Sequence, residues 1–248
     1  MKETYHLEPG LPPITVIRRK RQRTMRIRVN SEMVIVSGPA SIPEKRLIDF
    51  VREKSAWIQK SSELRKQRDL QMESLKKKNE GTLLLRGERK PIYAFPVAGI
   101  RKARLIEHDH AVVYQYRPPD NLLDNNEQEP CPDPDEIRAF YLSTAKKQLS
   151  ERYEFWADRL PFQPVKLVVR NQKTKWGSCS RRGTISLNWR LVKCPQTIMD
   201  YIIIHEFCHL RHFNHSRAFW DTVAQYYPDV RNARKWIRAG TDEIFSDL

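Results

Sequence analysis

The sequence predicts an α+β protein in two parts: an N-terminal small antiparallel β unit with a long helix, and a C-terminal half of helices around a small sheet. Three observations carry this. Apolar and polar residues alternate between 14 and 38, and short apolar runs recur between 83 and 116, as in strands with one solvated face. Residues 44–78 and 135–160 place apolar side chains at helical spacing. Between these halves, residues 117–134 gather five prolines with Asp120, Asp124, Glu127, Glu129 and Asp133, the composition of an exposed linker. The expected division is a basic β-rich region with a long helix at 1–117, an acidic proline-rich linker at 118–134, and a third segment at 135–248.

At 248 residues and 40% hydrophobic content the chain can bury a substantial core, which excludes a disordered protein. A formal net charge of +15 favours phosphates, nucleic acid, anionic surfaces or acidic polypeptides as partners. Cys131, Cys179, Cys194 and Cys208 are far apart and form no C-x-x-C pair, which argues against a disulfide framework or a zinc ribbon and for a reducing cytoplasm. The first residues lack an apolar segment, and the longest aliphatic run, Ile202 to Ile204, is too short to span a bilayer; neither an export signal nor a membrane anchor is expected.

In chain order, the strand pattern 14–38 carries Arg18, Arg19, Lys20, Arg21, Arg23, Arg26 and Arg28 without one acid among them. This is a phosphate-binding surface or a charged edge that discourages strand pairing. No aromatic residue interleaves with these charges, so stacking on unpaired bases is not expected. Pro43 and Glu44 open the long helix, with Ser41 as its cap and Leu47, Phe50, Val51, Trp57 and Ile58 on the packed stripe, Trp57 as a core anchor. Strands follow at 83–85, 92–97, 103–106 and 111–116, with His108 and His110 in a polar turn facing solvent. In the C-terminal half, a helix at 135–160 backs a second helix, and strands at 165–170 and 184–191 flank the loop 171–183.

That second helix, begun near Pro195 with Gln196 or Thr197 as cap, contains His205-Glu206-Phe207-Cys208-His209. Histidines four apart share one helix face, so both imidazoles can reach one metal ion with Glu206 beside it. A catalytic zinc takes three protein ligands. His215, ten residues after His205, has the spacing of H-E-x-x-H-x-x-G-x-x-H enzymes, with Asn214 as the bend residue; an unbroken helix would instead offer His212. Glu206 is then the general base that takes a proton from water in peptide hydrolysis, with Tyr201, Tyr226, Tyr227 or His212 assisting the oxyanion. Cys208 reads as a small buried filler, and Trp176 and Cys179 as packing residues.

Lys175-Trp176-Gly177-Ser178-Cys179-Ser180, Ile185-Ser186-Leu187-Asn188-Trp189, and residues 205–215 followed by Ser216, Phe219 and Trp220 resemble the YgjP-like zinc metallopeptidase family, related to SprT-like and WLM proteases. Pro39, Phe50, Trp57 and Ile58 extend the likeness to the N-terminal half. The resemblance implies a zincin-like catalytic half with Zn2+ held by His205, His209 and His215, and Glu206 as base. By analogy with related zincins, the strand bearing Ser186, Asn188 and Arg190 lies along the cleft and pairs with a polypeptide substrate. Two other readings remain: a nucleic-acid-associated protein processing DNA-bound proteins through the basic N-terminal half, and a zinc-binding scaffold without turnover.

Overall fold

The computed structural model describes residues 3–5, 11–30, 32–118 and 130–246. The chain is α+β and divides into two compact units, Met1–Lys78 and Asn79–Leu248. The division falls after the long helix rather than in the acidic, proline-rich stretch, of which 119–129 lie outside the described residues. The reason is packing: Leu83, Leu84 and Leu85 belong to the same hydrophobic core as Tyr141, Trp189 and Phe207.

The first unit is a four-stranded sheet with two helices. Strands β1 (Glu3–Tyr5), β2 (Ile14–Arg19), β3 (Arg26–Val29) and β4 (Val34–Pro39) lie in the order β1-β2-β4-β3. Pairing is antiparallel at β1–β2 and β3–β4 but parallel at β2–β4, because β4 inserts between β2 and the strand that follows it in sequence. Ile14, Val16, Val34, Val36 and Val29 project to one face and form a core with Leu47, Val51 and Ile58. The expected single helix is broken at Lys54 into α1 (Glu44–Glu53) and α2 (Ser55–Lys78), and α1 starts at an N-cap Pro43 without a side-chain cap, not at Ser41. Trp57 is not a core anchor: it is 53% exposed, while its neighbour Ile58 is fully buried. Ile58, eleven residues after Leu47, repeats the phase of the buried stripe of Leu47 and Val51, and Trp57, one position earlier, falls to its side.

The second unit holds two sheets around the helix that carries the histidines. Strands β5 (Thr82–Leu85), β6 (Glu88–Pro96), β7 (Arg104–Glu107) and β8 (Val112–Tyr116) form a sheet ordered β5-β6-β8-β7. Helix α3 (Pro134–Ala157) begins at a capping box in which Asp133 accepts from the Glu136 amide and the Glu136 side chain accepts from the Asp133 amide. Strands β9 (Lys166–Arg170), β10 (Gly177–Cys179) and β11 (Thr184–Asn188) form a sheet ordered β10-β11-β9. The strand expected to run to 191 stops at Asn188, which caps a 3-10 helix at Trp189–Lys193. Helices α4 (Gln196–Cys208), α5 (Arg217–Tyr226) and α6 (Val230–Ser246) complete the unit. Among the described residues no helix is long and apolar enough to cross a membrane.

Two devices position α4. The β5–β6 hairpin turns through Arg86 and Gly87, both at positive φ as a two-residue primed turn requires, and their amides donate to Val192 O and Lys193 O at 2.8 Å. A Cβ on Gly87 would meet Pro195 Cγ at 2.7 Å, so this turn packs directly against the N-cap of α4. From the other side, α3 holds α4 through Arg152, whose Nε and Nη2 donate to the two Asp200 oxygens at 2.7 and 2.8 Å. Such a bidentate pair fixes direction as well as distance. The Tyr153 ring packs on Phe207 at 5.3 Å.

Candidate metal centre

Helix α4 is apolar nearly all round and correspondingly buried, from Ile198 to Ile204 and again at Phe207 and Cys208. Its N-cap is Pro195, without a side-chain bond, so neither Gln196 nor Thr197 serves as cap; a preset proline φ directly follows the 3-10 helix instead. The helix ends at Cys208, with His209 as C-cap. The amides of Leu210, Arg211 and His212 then donate back to Phe207 O and Cys208 O, closing a tight turn. Asn214 is not a left-handed bend residue: among described non-glycine residues only Arg86 has positive φ, so the reversal is spread over the turn after His209.

This turn returns His215 to the helix. Ligand atoms of His205, His209 and His215 all lie within 4.8 Å of one another, and His215 Nε2 stands 3.1 Å from His205 Nε2. His209 Nδ1 faces His212 O at 2.8 Å; a carbonyl only accepts, so the proton sits on Nδ1 and Nε2 keeps its lone pair. His212 itself is turned away, its Nε2 at 3.2 Å from Thr222 Oγ1. Ser216 caps α5 by accepting from the Phe219 amide, and this start places two aromatic rings at the cluster. Phe219, fully buried, packs against all three imidazoles at 4.9, 4.5 and 4.9 Å between centroids, and Trp220 stacks on His215 at 5.4 Å.

The electrostatics fit a cation. Burial, with His209, His215 and Arg234 nearby, lowers His205 to about 3, and burial likewise lowers His209. Both are therefore neutral donors at ordinary pH, and His205 Nδ1 is buried without a partner. Three imidazoles that leave further positions open match the donor set of a catalytic rather than a structural metal site. Beside them Glu206 is 5% exposed, its pKa raised to about 8 by burial against a lowering contribution from Lys175, and its Oε2 has no hydrogen-bond partner. A buried carboxylate oxygen left unpaired is costly, which marks a position meant for a ligand, an ion or a proton.

Strand β10 makes room for that carboxylate. Gly177 lies so close that an added Cβ would stand 2.7 Å from Glu206 Oε1. Cys179, two residues on, has its thiol pushed up to about 11 by burial and by Glu206, which makes it a poor nucleophile.

The strand expected to receive substrate is differently placed. β11 is the central strand, paired on both edges with β10 and β9, so it has no free backbone edge. Ser186, Asn188 and Arg190 are buried and spent internally: Ser186 Oγ accepts from Arg170 Nε, Arg190 Nη1 donates to Asn171 Oδ1, and Asn188 Nδ2 donates to Gln172 O and Lys175 O. Asn188 thus anchors the loop that delivers Gly177. The edge strand next to Glu206 is β10, which forms within the stretch 171–183 expected from the sequence to be a loop.

A cavity of about 530 Å³ opens beside the histidines, lined by Trp176, Tyr201, His205, His215, Trp220, Arg234 and Arg238 among others. Of the four proposed oxyanion donors only Tyr201 lines it; Tyr226 packs on Phe162 and His212 bonds Thr222. Burial pushes the Tyr201 hydroxyl up to about 12, keeping it protonated. Arg234 and Arg238 went unread in the sequence, where the only signal was the acid-free basic run Arg231, Arg234, Lys235, Arg238. Arg234 also lies over the Trp220 ring at 4.5 Å.

The family described as "YgjP-like, metallopeptidase domain" matches residues 23–239. Among solved structures, the crystal structure of the metallopeptidase zymogen of Pyrococcus abyssi abylysin is 29% identical over 38% of this chain and 92% of its own, with a TM-score of 0.33. That of Methanocaldococcus jannaschii jannalysin is 21% identical over 38% of this chain and 94% of its own, with a TM-score of 0.33. No curated protein matches the chain.

Proposed function

The chain belongs to the YgjP-like metallopeptidase family, and from that premise we propose that it is a zinc endopeptidase whose metal is held by His205, His209 and His215 and whose general base is Glu206. One observation carries the reading: the three imidazoles of His205, His209 and His215 converge beside a buried carboxylate whose Oε2 is unpaired. Bound there, zinc supplies Lewis acidity, bringing a water's pKa toward 7 and polarising the scissile carbonyl.

The chain's own groups do the rest. Glu206 takes a proton from the attacking water and passes it to the leaving amine, a role suited to a carboxyl whose pKa burial has raised toward neutrality. Tyr201, protonated and within the same cavity, donates to the developing oxyanion. The free edge of β10 pairs with an extended polypeptide and lays it past Glu206. Phe219 closes the cluster from solvent on one side and fixes the three ring planes. Four free cysteines among the described residues agree with a reducing cytoplasm.

The test is cleavage of unfolded casein by the purified chain, with metal content measured in the same samples. Wild type should hold one zinc and cleave, and Glu206→Gln should hold the zinc and lose cleavage. Equal cleavage by both variants would remove Glu206 as base; zinc without turnover in either would leave a binding scaffold.

A further inference from the structure

The basic segment of the first unit acquires an aromatic partner only in three dimensions. In the sheet, Arg26 pairs with Ser37 and Arg28 with Ile35, while Ile17 pairs with Ser37 and Arg19 with Pro39. Arg19, Ile17, Ser37, Ile35, Arg26 and Arg28 therefore share the face opposite the one that buries Val16, Val34 and Val36. The first turns of α2 wall this face with Trp57, Ser61, Leu64 and Arg65, spaced as one helix stripe. Together they enclose a groove of about 610 Å³.

Its lining is unusual for an unoccupied protein surface. Trp57 is 53% and Leu64 57% exposed, although an apolar core lies one residue away at Ile58. Arg19, Arg26, Arg28 and Arg65 are exposed, and among the described residues none of the four makes an ion pair. Gln22, through bonds to Thr24 O and Ser37 Oγ, holds the turn between β2 and β3 so that Arg19 and Arg26 stay on the groove.

We propose that this groove binds single-stranded nucleic acid, with the four arginines on successive phosphates and a base stacked on Trp57 above a floor of Ile17 and Ile35. Cations alone serve a polycarboxylate equally well, but acidic side chains carry no aromatic face to stack on an exposed indole, as every base does. A duplex keeps its bases inside the stack and offers none to an exposed indole, whereas a single strand can turn one base into the groove while its backbone runs along the arginines. Backbone-tracking cations with an aromatic platform is the combination that single strands use.

The full-length chain is titrated with fluorescein-labelled oligothymidylate by anisotropy, with a duplex of matched length and poly-glutamate as competitors. Expected are tighter binding of the single strand than of the duplex, and a log–log salt slope of about −3, roughly 0.7 for each of four phosphates. Trp57→Ala should weaken single-strand binding about 5- to 100-fold, Trp57→Phe should retain most of it, and R26E/R28E should flatten the salt slope. Trp57 is exposed, so its substitution leaves the far-UV circular dichroism unchanged. No binding at low salt, equal binding of duplex with indifference to Trp57→Ala, or equal competition by poly-glutamate would each overturn the proposal. Glu206→Gln leaves the binding untouched, which separates this site from the peptidase reading.

Discussion

Gly177 and Glu206 share a space that admits no side chain between them: a Cβ on residue 177 would fall 2.7 Å from Glu206 Oε1 and 2.8 Å from its Cγ. The absence of a methyl on β10 thus sets where the carboxylate stands. Gly177→Ala should drive Glu206 off the reacting water and lower kcat by about 100-fold, the usual cost of an ångström-scale misplacement. Zinc content, measured by atomic absorption, should stay at the wild-type level; loss of metal would mean that Gly177 supports the histidines instead.

Glu206 also gives the metal-free chain a distinctive pH dependence. Burial raises its pKa from 4.5 to about 8. Between those values the folded chain keeps a proton that the unfolded chain has released, so this group's contribution falls as pH rises from 4.5 through 8. Metal-free Glu206→Gln should therefore be more stable than metal-free wild type at pH 8 by roughly 3 kcal/mol, from about 1.4 kcal/mol per pH unit with allowance for relaxation. The difference should vanish near pH 4.5. Urea unfolding at the two pH values reads it directly, and His205, which acts in the opposite sense, cancels because both variants contain it.

The turn after α4 separates the two histidines that follow it. His215→Ala should lose at least 100-fold in zinc affinity and all detectable cleavage. His212→Ala should keep its zinc, because the bond that orients His209 goes to the backbone carbonyl of residue 212, which the substitution retains. Competition with a chromogenic chelator distinguishes them; equal loss in both would place His212 in the metal site.

Arg234 and Arg238, one turn apart on α6, line the cavity with His205 and His215. Peptides with Asp or Glu near the scissile bond should be cleaved with kcat/KM about 10-fold above their Lys counterparts, and Arg234→Ala/Arg238→Ala should erase that preference while cleavage of neutral peptides changes less. A preference that survives the double substitution would assign it elsewhere.

The Arg152–Asp200 pair is a structural counterpart. Both side chains are largely buried, at 20% and 12% exposure. Asp200→Ala leaves a guanidinium partly buried without its partner and should cost about 3 kcal/mol of stability. Asp200→Asn, which keeps one acceptor oxygen but sets an NH2 donor against the second guanidinium N–H, should recover only a part of this, as thermal unfolding would show.

What was legible in the sequence was what local spacing encodes. His205 and Glu206 lie in one helix and His209 is its C-cap, still in helical backbone geometry, so a fixed 3.6-residue repeat sets which side chains meet. The ten-residue interval to His215 suffices to bring its ring to the other two, though the turn needs no left-handed residue at Asn214. The alternation 14–38 and the helical stripes likewise mark the elements because burial repeats with the period of the backbone.

What only the tertiary structure decided was how separate elements meet. A polar alternation at Ser186, Asn188 and Arg190 reads as an open face, yet β11 is a central strand and those groups bond neighbouring loops. Strand order depends on pairing across long sequence separations, and the alternation of one strand carries no information about it. The same holds for Gly177 against Glu206, for Arg234 and Arg238 beside the histidines, and for Trp57 beside the arginines of β2 and β3. Spacing along one element is geometry written locally; contact between elements is decided by which packing buries the core, and the residues that line the resulting clefts are its consequence.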